Sequence, residues 1–350
     1  MELTIIIFLL GGLFLGWSLG ANDAANVFGT AVGTRMVQFK TAAIICSIFI
    51  ILGAVISGAG TTETIGKLGA INALPGAFAA CIAAGLSVYL MTKVGLPVST
   101  TQAIVGAIVG WNLYSGSPTN IKVLITILST WVLCPIIAGL ISMGLFIGTK
   151  KIIQNRKLHI LRLDAYTRTS LLLAGAFGAY SLGANNIANV MGVFVPISPF
   201  TDINVSNFLI FSSQEQLFLL GGIAIAVGVF TYSKKVMLTV GNDLFKMSPV
   251  AAFIVVISHS IVLFLFASQG ISQVLQNINL PSIPLVPVSS SQAVVGGVIG
   301  IGLLKGGKEV QWSIAKKISI GWFTLPIIAA IISILILFIL ENIFNLAVNY

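Results

Sequence analysis

Charge is what this sequence lacks. Of its 350 residues 8% are charged, with 9 Asp and Glu in all, against roughly a quarter in an ordinary soluble domain. The same chain is 57% hydrophobic, and such a sequence would aggregate in water, which excludes the soluble globular classes. Cysteine is scarce too. Cys46, Cys81 and Cys134 lie singly in apolar stretches, without CxxC spacing or a nearby His, so no disulfide framework and no metal site is expected of them; they read as small buried residues. Acids are outnumbered by 18 Lys and Arg, but these punctuate apolar spans instead of forming a patch, which argues against nucleic acid as a partner.

What is present is apolar runs along the whole length, as at 4–19, 41–57, 121–147 and 318–340, each able to cross the ~20-residue hydrocarbon core of a bilayer. The first run lacks a basic n-region and leads straight into a polar motif, so it is not a cleavable signal. One hydrophilic insertion, 149–169, carries Lys150, Lys151, Arg156, Lys157, Arg162 and Arg168 with Asp164 as its one acid. The positive-inside rule makes that loop cytoplasmic. Counting outward gives crossings at 4–33, 41–59, 74–92, 96–113 and 121–147, then 170–196, 216–232, 249–268, 286–304 and 313–340. Both termini then lie outside, and of all the basic residues only Lys67 and Lys122 fall on the outer side. The expectation is an all-α, multi-pass protein of the cell membrane, with about ten to twelve transmembrane segments.

Internal repetition refines it. Ser18-Leu-Gly-Ala-Asn-Asp-Ala-Ala-Asn-Val27 recurs as Ser181-Leu-Gly-Ala-Asn-Asn-Ile-Ala-Asn-Val190, an offset of 163. Pro97-Val-Ser-Thr-Thr-Gln-Ala-Ile-Val-Gly106 recurs as Pro287-Val-Ser-Ser-Ser-Gln-Ala-Val-Val-Gly296, an offset of 190. A weaker pair, Thr64-Ile-Gly against Thr239-Val-Gly, falls between them at 175. Preserved order with a growing offset describes one duplicated unit: 1–148 the first repeat, 149–169 the loop, 170–350 the second. Five crossings is an odd number, so the second copy enters the membrane with opposite polarity. Two inverted repeats with broken or re-entrant helices are the sequence signature of a secondary transporter with a midplane site.

Asp23 is the only charge between Glu2 and Arg35, and its span is longer than a straight crossing requires, so a break there is expected. Gly20, Ala21, Ala24 and Ala25 allow close backbone approach, while Asn22, Asp23 and Asn26 bring oxygens that hydrocarbon alone would penalise. Recurrence of the Asn-x-x-x-Asn spacing, once around an intramembrane carboxylate, calls for a ligand or an ion. The Pro-Val-Ser segments read as two helix starts, each with hydroxyls beside free backbone N–H groups and a positive dipole end, which together make an anion cradle. No Lys or Arg lies within these motifs. Oxyanion charge would be met by amides, hydroxyls and bound cations, so that the site is attractive only when loaded. Among other polar residues, His259 is a packed core histidine or a proton relay, Glu63 an exposed outer residue or a vestibule cation ligand, and Gly241-Asn-Asp243 a turn.

At GANDAAN (20–26), GANNIAN (183–189), PVSTTQ (97–102) and PVSSSQ (287–292) the chain resembles the inorganic phosphate transporter family, over roughly residues 10–330. The resemblance implies inverted repeats, sodium- or proton-coupled uptake of inorganic phosphate, and a homodimer. It places phosphate at Ser99, Thr100, Thr101, Ser289, Ser290 and Ser291 with Asn22 and Asn185 nearby. It places the cation at Asp23, Asn26, Gln102, Asn186, Asn189 and Gln292; with Asp23 the one carboxylate among many neutral oxygens, the residue types favour sodium over a proton. Asn186 stands where the family pattern has Asp, and the central loop lacks the insertion of larger members. No cofactor is implied. A proton-coupled phosphate or sulfate permease is the alternative within the family. A channel is disfavoured by five crossings per half and an intramembrane Asp, and an enzyme by the lack of any base, nucleophile and metal cluster.

Overall fold

The computed structural model describes residues 3–93, 97–156, 159–206, 209–239, 247–307 and 312–350. Twelve α-helices follow one another among them: α1 (Leu3–Gly33), α2 (Phe39–Ser57), α3 (Ala59–Gly69), α4 (Leu74–Lys93), α5 (Thr100–Ser115), α6 (Ile121–Arg156), α7 (Ile160–Met191), α8 (Ser213–Thr239), α9 (Pro249–Leu265), α10 (Gln269–Asn277), α11 (Ser290–Leu304) and α12 (Trp312–Asn342). Between α7 and α8 lie a 3-10 turn, Gly192–Ile197, and an antiparallel pair of short strands, β1 (Ile203–Ser206) and β2 (Leu209–Phe211). Six helices are long and apolar enough to cross a membrane, or seven spans when α9 and α10, bent by 68° at their junction, count as one. The outer face is correspondingly apolar, with Ile48, Val132, Leu140 and Phe323 all exposed on it. This is a multi-pass membrane protein.

The helices of the two sequence halves interlock. On α1, a Cβ added at Gly20 would sit 1.9 Å from the Ile225 carbonyl of α8, and on α7 one at Gly183 would sit 2.1 Å from the Ile50 carbonyl of α2. The same exchange occurs at the other end of each half. Gly106 of α5 meets the Pro326 carbonyl of α12 and Gly296 of α11 meets the Pro135 carbonyl of α6, each with 2.1 Å for an added Cβ. At these crossings only glycine lets the two backbones touch.

Two of the structural outcomes differ from the expected crossings. The first concerns α1, which runs unbroken through Asp23, as α7 does through Asn186. No break is needed because the polar side chains find partners off the helix, and the small residues between them admit neighbouring backbones. The second concerns α4 with α5 and α9 with α11, which form hairpins whose arms return to the end they came from. Gly76 at the start of α4 lies against Trp111 near the end of α5, while Thr92 and Val98 at the tip both bond to Asn22. In the second hairpin Gly297 faces Val255 and Ser290 faces His259. The first hairpin opens beside Asn112 and Leu68, near the start of α6. The second opens beside the far end of α6, where Lys305 lies over the Phe146 ring. The two hairpins thus enter from opposite ends of the molecule and their tips meet inside it, Thr101 Oγ1 donating to the Val288 carbonyl at 3.2 Å.

The basic segment 149–169 is largely helical, since α6 continues to Arg156 and α7 starts at Ile160 behind the cap of His159. The turn expected at Gly241-Asn-Asp243 lies outside the described residues.

Candidate functional site

Both Pro-Val-Ser segments are extended and then start helices, as their residue types require. Ser99 caps α5, its Oγ accepting from Gln102 N at 3.2 Å, and Ser289 caps α11, accepting from Gln292 N at 3.3 Å. A proline two residues before each cap keeps the preceding chain extended. The first N–H groups of two helices therefore point into the interior of a membrane protein, from opposite directions, at the level of the Asn-rich motifs.

All fourteen residues expected to hold phosphate or cation are buried there, none more than 4% exposed. Asn22 and Asn185 use their side chains to fasten the hairpin tips. Asn22 donates to Thr92 Oγ1 (2.8 Å) and accepts from Val98 N (3.2 Å). Asn185 donates to the carbonyls of Leu263 (3.3 Å) and Val286 (3.2 Å) and accepts from Val288 N (2.7 Å). Val98 and Val288 occupy the same place in the two repeats, so the clamp is duplicated. Each amide meets the backbone groups that an extended tip would otherwise bury without partners.

The remaining motif residues join the halves to each other. Asn26 of α1 donates to Ser290 Oγ of α11 (3.1 Å), and Asn189 of α7 donates to Thr101 Oγ1 of α5 (2.9 Å) and to Asn186 Oδ1 (3.1 Å). Thr100 donates to Asp23 Oδ2 at 3.1 Å, and Ser289 and Ser291 share a hydroxyl contact of 3.2 Å. A set of oxygens is left with no donor: Asp23 Oδ1, Asn26 Oδ1, Gln102 Oε1, Asn189 Oδ1 and Gln292 Oε1. On Asn186 the atom without a partner is the amide nitrogen. A buried acceptor without a donor is costly and uncommon, and these all belong to the six residues singled out as cation ligands. Hard oxygens in this number, with one carboxylate among them, suit sodium better than a transition metal; no group of three His, Cys, Asp or Glu able to hold a metal exists among the described residues.

Other residues lie beyond this group or at its border. Glu63 is exposed and paired with Lys67 on α3, outside this buried group. His259 is fully buried, and its Nε2 lies 2.9 Å from Ser290 Oγ, so it borders the cradle. The polar triplet Ser258-His259-Ser260 on an otherwise apolar helix was its signal. Thr92 gave no such signal, being a lone hydroxyl near the end of an apolar run. The three cysteines are free and buried, as their surroundings required.

The comparisons with known proteins give the family and the fold. A model of the phosphate transporter family matches residues 19–274 and 280–349. The chain belongs to the phosphate transporter family. Relatives include a protein of Methanocaldococcus jannaschii named "Putative phosphate permease", 30% identical over 96% of this chain and 98% of the relative. One of the same name in Pyrococcus abyssi is 28% identical over 97% and 98%. A solved structure described as "The sodium-dependent phosphate transporter" shares the fold with a TM-score of 0.75, over 98% of this chain and 100% of that one, at 24% identity. As a member of a transporter family the chain is not an enzyme.

Proposed function

We propose that this phosphate transporter family member imports inorganic phosphate in symport with sodium, by alternating access at the site between the two hairpin tips. The observation that carries the coupling is the set of five donorless oxygens beside two helix N-termini. The N-termini and hydroxyls favour an anion, the oxygens favour a cation, and no Lys or Arg holds the anion in place of that cation. Phosphate would rest on Ser99, Thr101, Ser289, Ser290 and Ser291, with Thr100 between it and the cation. Sodium would be held by Asp23, Asn26, Gln102, Asn189 and Gln292, with Asn186 beside them. Asn22 and Asn185 would act on phosphate indirectly, by fixing the tips.

The two central hydroxyls have different duties under this reading. Thr100 commits its proton to Asp23 and so serves the cation side. Ser290 accepts from Asn26 and, with the imidazole proton on Nε2, from His259 as well, which leaves its own proton for an oxyanion. That tautomer puts the unpartnered Nδ1 in the acceptor form, which avoids stranding a buried donor.

We read the halves as an inverted duplication. Hairpins that return to their own end add no crossing, so α1, α2 and α6 keep the odd parity, and α7, α8 and α12 repeat it upside down. Gating would then be one set of elements rocking against the other around a fixed site. The basic end, with Lys150, Lys151, Lys234 and Lys235, would face the cytoplasm and both termini would face outside, in a homodimer in the cell membrane. Uptake of labelled phosphate into proteoliposomes under imposed sodium or proton gradients, with sulfate as competitor, tests the proposal. Uptake driven by a proton gradient without sodium would replace symport with sodium by proton coupling, and stronger transport of sulfate would change the substrate.

A further inference from the structure

A further feature lies on the outward side of α6 and α11, running from near the second hairpin tip toward the far end of both helices. These two helices run parallel in contact, Gly296 against the Pro135 carbonyl and Gly300 against the Gly139 carbonyl. Small residues at the seam leave an apolar groove of about 320 Å³ there, floored by Gly139, Gly296 and Gly300 and walled by Leu140, Met143 and Leu303. One turn further along the same pair a second depression of about 330 Å³ begins, with Phe146, Ile147 and Leu304 at its base and Lys150, Lys151 and Gln154 at its rim. Lys305 lies 5.8 Å from the Phe146 ring centroid beside it. Neither depression is lined by an acid among the described residues.

We infer that these two neighbouring depressions together bind one anionic phospholipid, its phosphodiester head at Lys150 and Lys151 and an acyl chain along Gly139, Gly296 and Gly300. Dimensions support the assignment. From Phe146 to Pro135 the helix rises roughly 17 Å, close to half of the ~30 Å hydrocarbon core, so a chain anchored at the lysines would end near the midplane. Chemistry supports it as well. A free anion would have no use for the apolar floor, and a packing helix would have no use for the paired lysines, whereas an anionic lipid presents both groups in this order. Basic pockets between membrane helices commonly receive such headgroups. The lipid would lie along α11, the returning arm of the second hairpin, whose first residues form one of the two cradles.

Titrating the purified full-length chain in detergent with dioleoylphosphatidylglycerol or dioleoylphosphatidylcholine, and reading retained lipid by native mass spectrometry, tests this. Lys150 and Lys151 are exposed and Leu140 is 63% exposed, so changing them leaves the core intact. Phosphatidylglycerol is expected to bind about thirtyfold tighter than phosphatidylcholine, from ~1 kcal/mol for each of the two lysines. The double variant Lys150→Gln/Lys151→Gln should remove that preference. Leu140→Trp, which fills the groove, should weaken both lipids, and excess inorganic phosphate should displace neither. Equal binding of the two lipids by the parent, unchanged binding in both variants, or displacement by inorganic phosphate would each overturn the inference. So would a Leu140→Trp variant that keeps its lipid but changes oligomeric state, which would assign the groove to a second copy of the chain.

Discussion

Asn26 and Ser290, separated by 264 positions in sequence, are joined by a 3.1 Å hydrogen bond from amide to hydroxyl. The bond ties a helix of the first half to the cradle of the second, and Asn189 with Thr101 supplies the converse tie at 2.9 Å. Under the proposed function each half therefore contributes cation ligands that also steady the anion donors of the other. Loading one ion would order the groups that receive the second.

Asp23 is the only acid within the motifs and keeps one oxygen without a partner. Asp23→Asn is expected to abolish or severely weaken sodium-dependent phosphate binding, whereas Asn186→Asp, which supplies a further carboxylate, is expected to be tolerated. Phosphate binding to purified protein against sodium concentration, at two pH values, measures both. Full binding without sodium that rises as pH falls would make Asp23 a proton carrier.

Ser290→Ala should raise the phosphate dissociation constant roughly tenfold or more, because hydrogen bonds to charged groups contribute ~1.5–3 kcal/mol. Thr100→Ala should act differently, shifting the sodium concentration for half-maximal binding more than the phosphate affinity at saturating sodium. Isothermal titration with each ion held in excess separates the two. Parental phosphate affinity in Ser290→Ala would reduce the second cradle to a helix start.

Asn185→Ala would strand the Val288 N–H and two carbonyls in the interior. Each buried group left without a partner costs about 1–3 kcal/mol, so the melting temperature in detergent should fall by several degrees or more. Phosphate binding should suffer with it, although the side chain need not touch the anion. A melting curve that matched the parent would mean that the tip is held by other contacts.

Gly296→Ala should fail to give folded protein, since the added Cβ would lie 2.1 Å from the Pro135 carbonyl and two helix backbones cannot both yield. Gly66→Ala is the control, with its nearest neighbour 3.8 Å away. Size-exclusion profiles of fluorescent fusions should show a monodisperse peak for the control alone.

Much of this site was legible before the structure. The doubled motifs named fourteen residues that the fold does bury together, because intramembrane polar groups are too costly to persist without a partner or a ligand. The direction of the chain was less legible. Hydropathy reports how apolar a segment is and carries no sign, so the α4–α5 and α9–α11 arms read as crossings although each pair turns back at Asn22 or Asn185. The unbroken course of α1 was hidden for a related reason: charge position suggested a break at Asp23, whereas its neighbours come from Thr100 and from α8, far away in sequence. His259 was ambiguous because a buried histidine looks the same in a core and beside a ligand until its partner, Ser290, is known.

The interlocking of the halves bears on biogenesis. When a ribosome has delivered only α1 to α6, the helix faces at Gly20 and Gly53 still await Ile225 and Tyr180, and Asn26 and Asp23 sit in a bilayer without the second cradle. The nascent first half is thus an unfinished membrane protein whose polar residues must be sheltered by the insertion machinery. Its glycine faces are filled only as the second half arrives, α7 and α8 covering Gly53 and Gly20 and α12 closing over Gly106.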